Sequence, residues 1–172
     1  LVLAALAAVA PAAAAGPADW TGTWKGTCRL TPPHQGIAEF PMTLTIGATA
    51  KPDALRWMLV YETGTRDVRD YELLAVDAAA GTYVIDEKNG LLLDAAFSDG
   101  VLYAPFTIGK VLITATYRVD ESGTMHADMP SFGAEPSRTS CLTGQPETCA
   151  RSFALTGTQH CWMKRQEMRK LD

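Results

Sequence analysis

The sequence lacks the short motifs that usually mark an enzyme or a metal site. Its 172 residues contain neither a Gly-x-Ser-x-Gly nor a His-Glu-x-x-His pattern, so no hydrolase nucleophile and no zinc-protease helix is predicted. Cys-x-x-Cys pairs with suitably spaced histidines are also missing, although zinc clusters need that spacing. Asp86 and Glu87 are interpreted as a strand end entering a turn rather than as an acid/base pair. We therefore predict no catalytic residue and no metal site, and favour a binding protein over an enzyme.

Basic residues are also fewer than acidic residues. Fifteen Lys and Arg residues stand against nineteen Asp and Glu residues, which gives a net charge of −4 and argues against nucleic acid as a partner. The one basic cluster is the C-terminal run WMKRQEMRK, which we interpret as a solvated tail. No repeat, low-complexity tract or linker divides the chain after its leader, so residues 19–172 are predicted to form a single domain.

An alanine-rich apolar leader opens the chain, reading LVLAALAAVAPAAAAGPAD. It is too short to span a bilayer stably, and it ends in small residues of the A-x-A type. We interpret residues 1–18 as the remnant of a secretory signal peptide, and we predict no transmembrane segment. The protein is therefore expected to be secreted or periplasmic.

Four cysteines fit that oxidising location, because disulfides persist there and an even number allows complete pairing. Three connectivities are possible for four cysteines. Cys28 and Cys161 lie in strand-like runs near the two ends of the chain, and a bond between them would join the first strand to the last. Cys141 and Cys149 flank a Gly- and Pro-containing segment that suits a local bridge. We prefer the pairs 28–161 and 141–149, and the competing interpretation is a metal site.

The hydrophobic period is close to two along most of the chain, with turn residues every eight to twelve positions, which is typical of an antiparallel all-β protein. Trp24, Cys28 and Leu30 fall on one face of the first run, and Asn89-Gly90 is a strong hairpin signal. The pattern predicts an up-and-down antiparallel β-barrel of about 8–10 strands, because closure removes the exposed sheet edges. A long disulfide-pinned loop is expected near residues 131–150, before the last strand.

The Gly22-Thr23-Trp24 sequence on the first strand, followed by an up-and-down meander, resembles the lipocalin-like (calycin) superfamily of lipocalins, fatty-acid-binding proteins, avidins and nitrobindin-like barrels. The resemblance implies that Trp24 packs across the closed end of the barrel, with Gly22 beside it. It also implies a basic residue from the last strand over the tryptophan ring, and Lys164 and Arg165 are the candidates. Finally, it implies a lumen that holds one small apolar or amphipathic molecule.

Side chains that alternate inward are the candidates for touching such a ligand. From the runs above we select seven tentative lumen residues: Trp57, Tyr61, Arg69, Tyr71, Phe106, Tyr117 and Gln159. Arg69 and Gln159 could orient a carboxylate or another polar head, because a polar group forced inward needs a partner. Alternatively, Arg69 lies at the rim and pairs with a neighbouring acidic residue in water: Asp67, Asp70 or Glu72. Phe153 is also expected to face inward.

The function predicted from these observations is an exported barrel that binds a small hydrophobic molecule. One alternative is a filled barrel that acts through its surface as an envelope interaction module or inhibitor, using the pinned loop. A haem-binding or enzymatic role is the remaining alternative. A single histidine would have to ligate the haem, yet His126 and His160 alternate outward and His34 falls in a loop. No cofactor is predicted, and the sequence points to no particular protein partner.

Overall fold

Twelve β-strands and one short 3-10 helix make up the described part of the chain, residues 16–167 of a computed structural model. The 3-10 helix covers Pro17–Trp20. The strands are β1 (Gly22–His34), β2 (Ile37–Ala48), β3 (Ala54–Glu62), β4 (Arg66–Asp77), β5 (Thr82–Asp86), β6 (Leu92–Ser98), β7 (Val101–Ile108), β8 (Val111–Val119), β9 (Thr124–Gly133), β10 (Arg138–Leu142), β11 (Gln145–Ser152) and β12 (Leu155–Arg165). Among residues 16–167, no helix is long and apolar enough to cross a membrane.

Ten of these strands close into one antiparallel barrel, in the order β1-β12-β9-β8-β7-β6-β5-β4-β3-β2. This confirms the predicted all-β, up-and-down barrel, with a strand number inside the expected range. Strands that follow one another along the chain pair from β1 to β9, and β12 closes the barrel between β9 and β1, because β10 and β11 leave the barrel as a separate hairpin. The predicted signal remnant falls mostly on residues 1–15, which lie outside the described part of the chain, while Pro17 is buried within the 3-10 helix.

The barrel interior is filled by the apolar half of each alternating strand. On β2, Met42, Leu44 and Ile46 are all at most 1% exposed, and the residues between them are more exposed. The fully buried side chains also include Trp24 on β1, Met125 on β9 and Met163 on β12. Since successive strand residues point to opposite faces, the period of two in the sequence translates directly into an inward apolar face.

The seam between β1 and β12 closes the barrel, and Cys28 and Cys161 face each other across it. They form one disulfide, and Cys141 and Cys149 form the other, so both predicted pairs are confirmed. Gly26 lies in the same seam. A Cβ atom there would stand 1.8 Å from the Trp162 carbonyl oxygen, so no larger residue fits without moving the backbone.

Trp24 packs at the end of the barrel where β1 begins. It is 2% exposed, and its indole N–H donates to the Trp20 carbonyl oxygen over 2.8 Å. The Arg165 guanidinium lies over the Trp24 ring, with its carbon 4.6 Å from the ring centroid, and donates to the Asp19 carbonyl oxygen. Of the two candidate cations, Arg165 makes the contact, whereas Lys164 donates to the Ser122 carbonyl oxygen. The 3-10 helix and the side chains of Trp24 and Arg165 close this end of the barrel.

The segment expected to be a long loop is more regular than predicted. β9 continues to Gly133, and residues 138–152 form the exposed β10–β11 hairpin around the Cys141–Cys149 bridge. The sequence of this segment does not predict the two strands, because the hairpin has no buried face and therefore no alternating hydrophobic pattern. Phe153, which was expected to face inward, follows the hairpin and is 38% exposed, so that prediction is wrong.

Candidate functional site in the barrel lumen

The end of the barrel opposite Trp24 is open to a wide cavity. Its volume is about 530 Å³, and its walls come from the end of β1, the start of β12 and six other strands. Leu30, Phe40 and Ile113 supply apolar wall, while Ser131 and Gln159 add polar groups. Small-molecule sites typically occupy about 300–1,000 Å³ and combine an apolar lining with a few polar groups. This cavity, which we call the mouth, has both properties.

A second, smaller chamber of about 70 Å³ lies deeper in the barrel. Four residues line both the mouth and the chamber: Tyr61, Arg69, Phe106 and Met129. We call these four residues the neck. Below the neck the chamber is bounded by Trp57, Tyr71 and Tyr117 together with aliphatic side chains. The polar and aromatic side chains of the neck therefore lie between the mouth and a smaller chamber of aromatic and aliphatic side chains.

Strand alternation explains why the neck residues meet. On β3, Trp57, Leu59 and Tyr61 share the inner face, and on the paired strand β4, Arg69 and Tyr71 do the same. Leu59 is directly opposite Arg69 in this register. Because opposed residues on one face have neighbouring Cβ atoms, the guanidinium of Arg69 is held beside the aromatic side chains of β3. Its carbon lies 4.9 Å from the centroid of the Tyr61 ring.

Arg69 already has a carboxylate partner inside the mouth. Its Nε and Nη2 atoms donate to Oδ2 of Asp67 over 3.0 and 2.9 Å. The two side chains are 48% and 44% exposed, so the pair borders open solvent as well as the lumen. This geometry reconciles the two alternatives for Arg69: the side chain lines both cavities, and it also pairs with Asp67.

Two hydrogen-bond donors in the lumen lack a strong acceptor. The Gln159 side-chain amide donates only over long distances to sulfur, 3.5 Å to Cys161 and 3.8 Å to Met129, and sulfur is a weak acceptor. The Trp57 indole N–H is buried and makes no hydrogen bond of good geometry, although the Tyr117 side chain lies against it. Buried donors without partners are costly, and each such group in a native structure calls for an explanation. An oxygen-bearing ligand would supply the missing acceptors.

The lumen tyrosines are neutral at physiological pH. Burial raises the pKa of Tyr61, and the positive charge of Arg69 opposes that rise. Burial also raises the pKa of Tyr71, and the charge of Glu87 adds to the effect. Burial raises the pKa of Tyr117 far above its usual range, so its hydroxyl keeps its proton throughout the physiological range. All three side chains can thus both donate and accept hydrogen bonds.

All seven tentative lumen residues line one of the two cavities. Tyr61, Arg69, Phe106 and Gln159 line the mouth, and Trp57, Tyr71 and Tyr117 line the chamber. The cavity residues that the sequence analysis did not select include Asp67, Glu87, Met129 and Ser131. Asp67 was considered only as a solvent partner of Arg69, although its position two residues earlier places it on the same face. No cluster of metal-ligating side chains occurs among residues 16–167.

The histidines of β9 and β12 form a separate stack. His126 and His160 have ring centroids 5.6 Å apart, and His160 stacks on Trp162. Their neighbours Ala127 and Cys161 are fully buried inside, so alternation directs both histidines to the outer face of the barrel. Neither histidine therefore reaches the lumen. The expectation that His34 falls in a loop is wrong, because His34 pairs with Ile37 of β2 as the last residue of β1, and it lines the mouth. No protein-family model and no curated protein matches this sequence.

Proposed function

We propose that this protein is an exported, lipocalin-like barrel that holds one small apolar or amphipathic molecule in its lumen. The observation that carries the proposal is the 530 Å³ mouth, which shares the neck residues, Arg69 among them, with a second cavity lined by aromatic side chains. The two disulfides support export, since such bonds persist in oxidising compartments. The contact of Arg165 with Trp24 at the closed end supports membership of the lipocalin-like superfamily.

A filled barrel would not offer this space. The half of the lumen near Trp24 is indeed filled by side chains such as Leu44 and Met163, both at most 1% exposed. Small barrels are commonly filled in this way. The cavities therefore confine a ligand to the half of the barrel nearer the mouth, where polar groups are also concentrated.

The test is native mass spectrometry of the protein exported to an oxidising compartment, followed by the same measurement under denaturing conditions. An adduct that is released on denaturation is expected. Ile113→Trp should abolish the adduct, because Ile113 lines the mouth, whereas Thr114→Trp on the opposite face of the same strand should retain it. A bare native mass, together with no binding of an apolar fluorescent probe, would overturn the proposal.

The alternative function, an interaction module that acts through its surface, is supported by the β10–β11 hairpin. Every residue of both strands is exposed, and Leu142 is 57% exposed. Gly133 donates to the Ala154 carbonyl oxygen, so the hairpin can be removed and its ends joined by a short linker. The carrier proposal predicts that this deletion leaves the adduct in place. Loss of a binding partner with an unchanged lumen adduct would favour the surface function.

A further inference from the structure

The charged groups of the lumen are unevenly balanced. Arg69 is the one Lys or Arg residue among those that line the two cavities, whereas Asp67 lines the mouth and Glu87 lines the chamber. His34 is the remaining ionisable group at the mouth apart from the tyrosines. Two carboxylates thus face one guanidinium. A lumen built to attract an anion would carry the opposite balance, because like charges at close range repel.

The single guanidinium is also occupied. Two of its nitrogens donate to one oxygen of Asp67, and the Tyr61 ring lies against it. An anionic head group approaching Arg69 would have to displace Asp67 or sit beside its negative charge. A carboxylate ligand gains most from a guanidinium when it can take the paired donors of the fork, and here the fork already serves Asp67.

The uncharged oxygen atoms of a ligand, by contrast, could accept hydrogen bonds from donors both at the mouth and at the chamber. The Gln159 amide lies at the mouth near Tyr61 and donates over long distances to sulfur, and the Trp57 indole N–H lies at the chamber without a hydrogen bond of good geometry. Trp57 is 1% exposed, so water does not readily satisfy it. A carbonyl, ether or hydroxyl oxygen accepts such bonds without bringing a charge into the field of Asp67 and Glu87.

We propose that the lumen selects neutral, oxygen-bearing apolar molecules and discriminates against anions, with Asp67 as the selecting residue. This inference rests on the proposed lumen-binding function and names the ligand class for that site. Asp67 holds the guanidinium of Arg69 in the neck and, by occupying it, keeps carboxylates and sulfonates from using it. Specificity achieved by penalising the wrong ligand is a general device of binding sites.

Two fluorescent probes that share one apolar body test this proposal: the neutral, oxygen-bearing anilinonaphthalene sulfonamide and the anionic anilinonaphthalene sulfonate. Each is titrated into the wild-type protein and four variants, one of which is Ile113→Trp, and the ratio of the two dissociation constants is compared. Asp67→Asn should tighten binding of the anionic probe at least about fivefold and leave the neutral probe within about twofold. Arg69→Gln should weaken binding of the anionic probe relative to the wild type, because the carboxylates of Asp67 and Glu87 would remain without the guanidinium. The matched control is Asp70→Asn, because Asp70 pairs with Arg56 among the exposed groups and does not line either cavity.

The outcomes separate this inference from the function on which it rests. If both probes bind and Ile113→Trp blocks them, but Asp67→Asn moves the ratio no more than Asp70→Asn, the selecting role of Asp67 is refuted and the lumen function stands. Tighter binding of the anionic than of the neutral probe by the wild type would refute it equally. If neither probe binds the wild-type protein, the proposed function itself fails.

Discussion

Removing the disulfide across the barrel seam should destabilise the protein far more than removing the one in the hairpin. The Cys28–Cys161 bond spans 133 residues, and the chain-entropy relation assigns a loop of that length about 5 kcal/mol at 25 °C. The Cys141–Cys149 bond spans 8 residues, for which the same relation gives about 2.5 kcal/mol. Even that smaller contribution should be absent from the free energy of unfolding of the barrel.

The reason lies in where each bond is placed. All residues of β10 and β11 are exposed, so the hairpin can unfold while the barrel remains intact. A bond that restricts the hairpin equally whether the barrel is folded or unfolded does not change the free energy of unfolding of the barrel. Cys28 and Cys161 are fully buried between the first and last strands, so their bond joins two strands that separate only when the whole barrel unfolds, and it restricts the unfolded chain.

The assay is thermal and urea denaturation of two double variants, Cys28→Ala with Cys161→Ala and Cys141→Ala with Cys149→Ala. Alanine is chosen because serine would bury hydroxyl groups without partners at the seam. For a domain of this size, about 5 kcal/mol corresponds to a fall in Tm of roughly 10–20 °C. The hairpin variant should shift Tm by less than about 2 °C. Equal shifts for the two variants, or a shift below about 3 °C at the seam, would refute the argument.

Three further predictions follow from the closed end, the seam and the outer surface. Trp24→Ala should lower the free energy of unfolding by roughly 3–5 kcal/mol in chemical denaturation, because it empties a buried site. Gly26→Ala should cost more than about 2 kcal/mol, because its Cβ would overlap the β12 backbone, whereas Gly47→Ala, which meets open space, should cost little. The hydrogen bond from His126 holds the pKa of Asp120 well below its usual range, so Asp120 stabilises the fold above about pH 4 and this contribution is lost on acidification. Asp120→Asn should therefore reduce the loss of stability between about pH 5 and pH 2, measured by urea denaturation at each pH.

Each of these has an opposing outcome that is easy to recognise. A Trp24→Ala midpoint within error of the wild type would mean that the closed end does not depend on that ring. Equal effects of Gly26→Ala and Gly47→Ala would mean that β1 and β12 are not in close backbone contact at the seam. A parallel acid profile for Asp120→Asn would show that the hydrogen bonds of the Asp120 carboxylate with His126, Ser122 and Thr124 do not stabilise the folded state.

Local alternation carried much of the prediction of the fold. On β2, the period of two marks Met42, Leu44 and Ile46 as one face, and this is the face that the barrel buries. The seven lumen candidates were found in the same way, because a strand residue's side is fixed by its parity once one neighbour is known to be inside. Where no face is buried, as in β10 and β11, the pattern disappears and the strands were missed.

The sequence alone determined the all-β class and the inward parity of the strands that carry the lumen candidates, and it favoured the cysteine pairs that the structure shows, because these depend on periodicity and on where the cysteines lie along the chain. Only the tertiary structure decided how much of the lumen stays open, that Asp67 occupies Arg69, and that the Trp57 N–H makes no hydrogen bond of good geometry. Those features depend on distances across a closed barrel between residues far apart in the chain. Such distances are set by how all ten strands pack together, which no local pattern records.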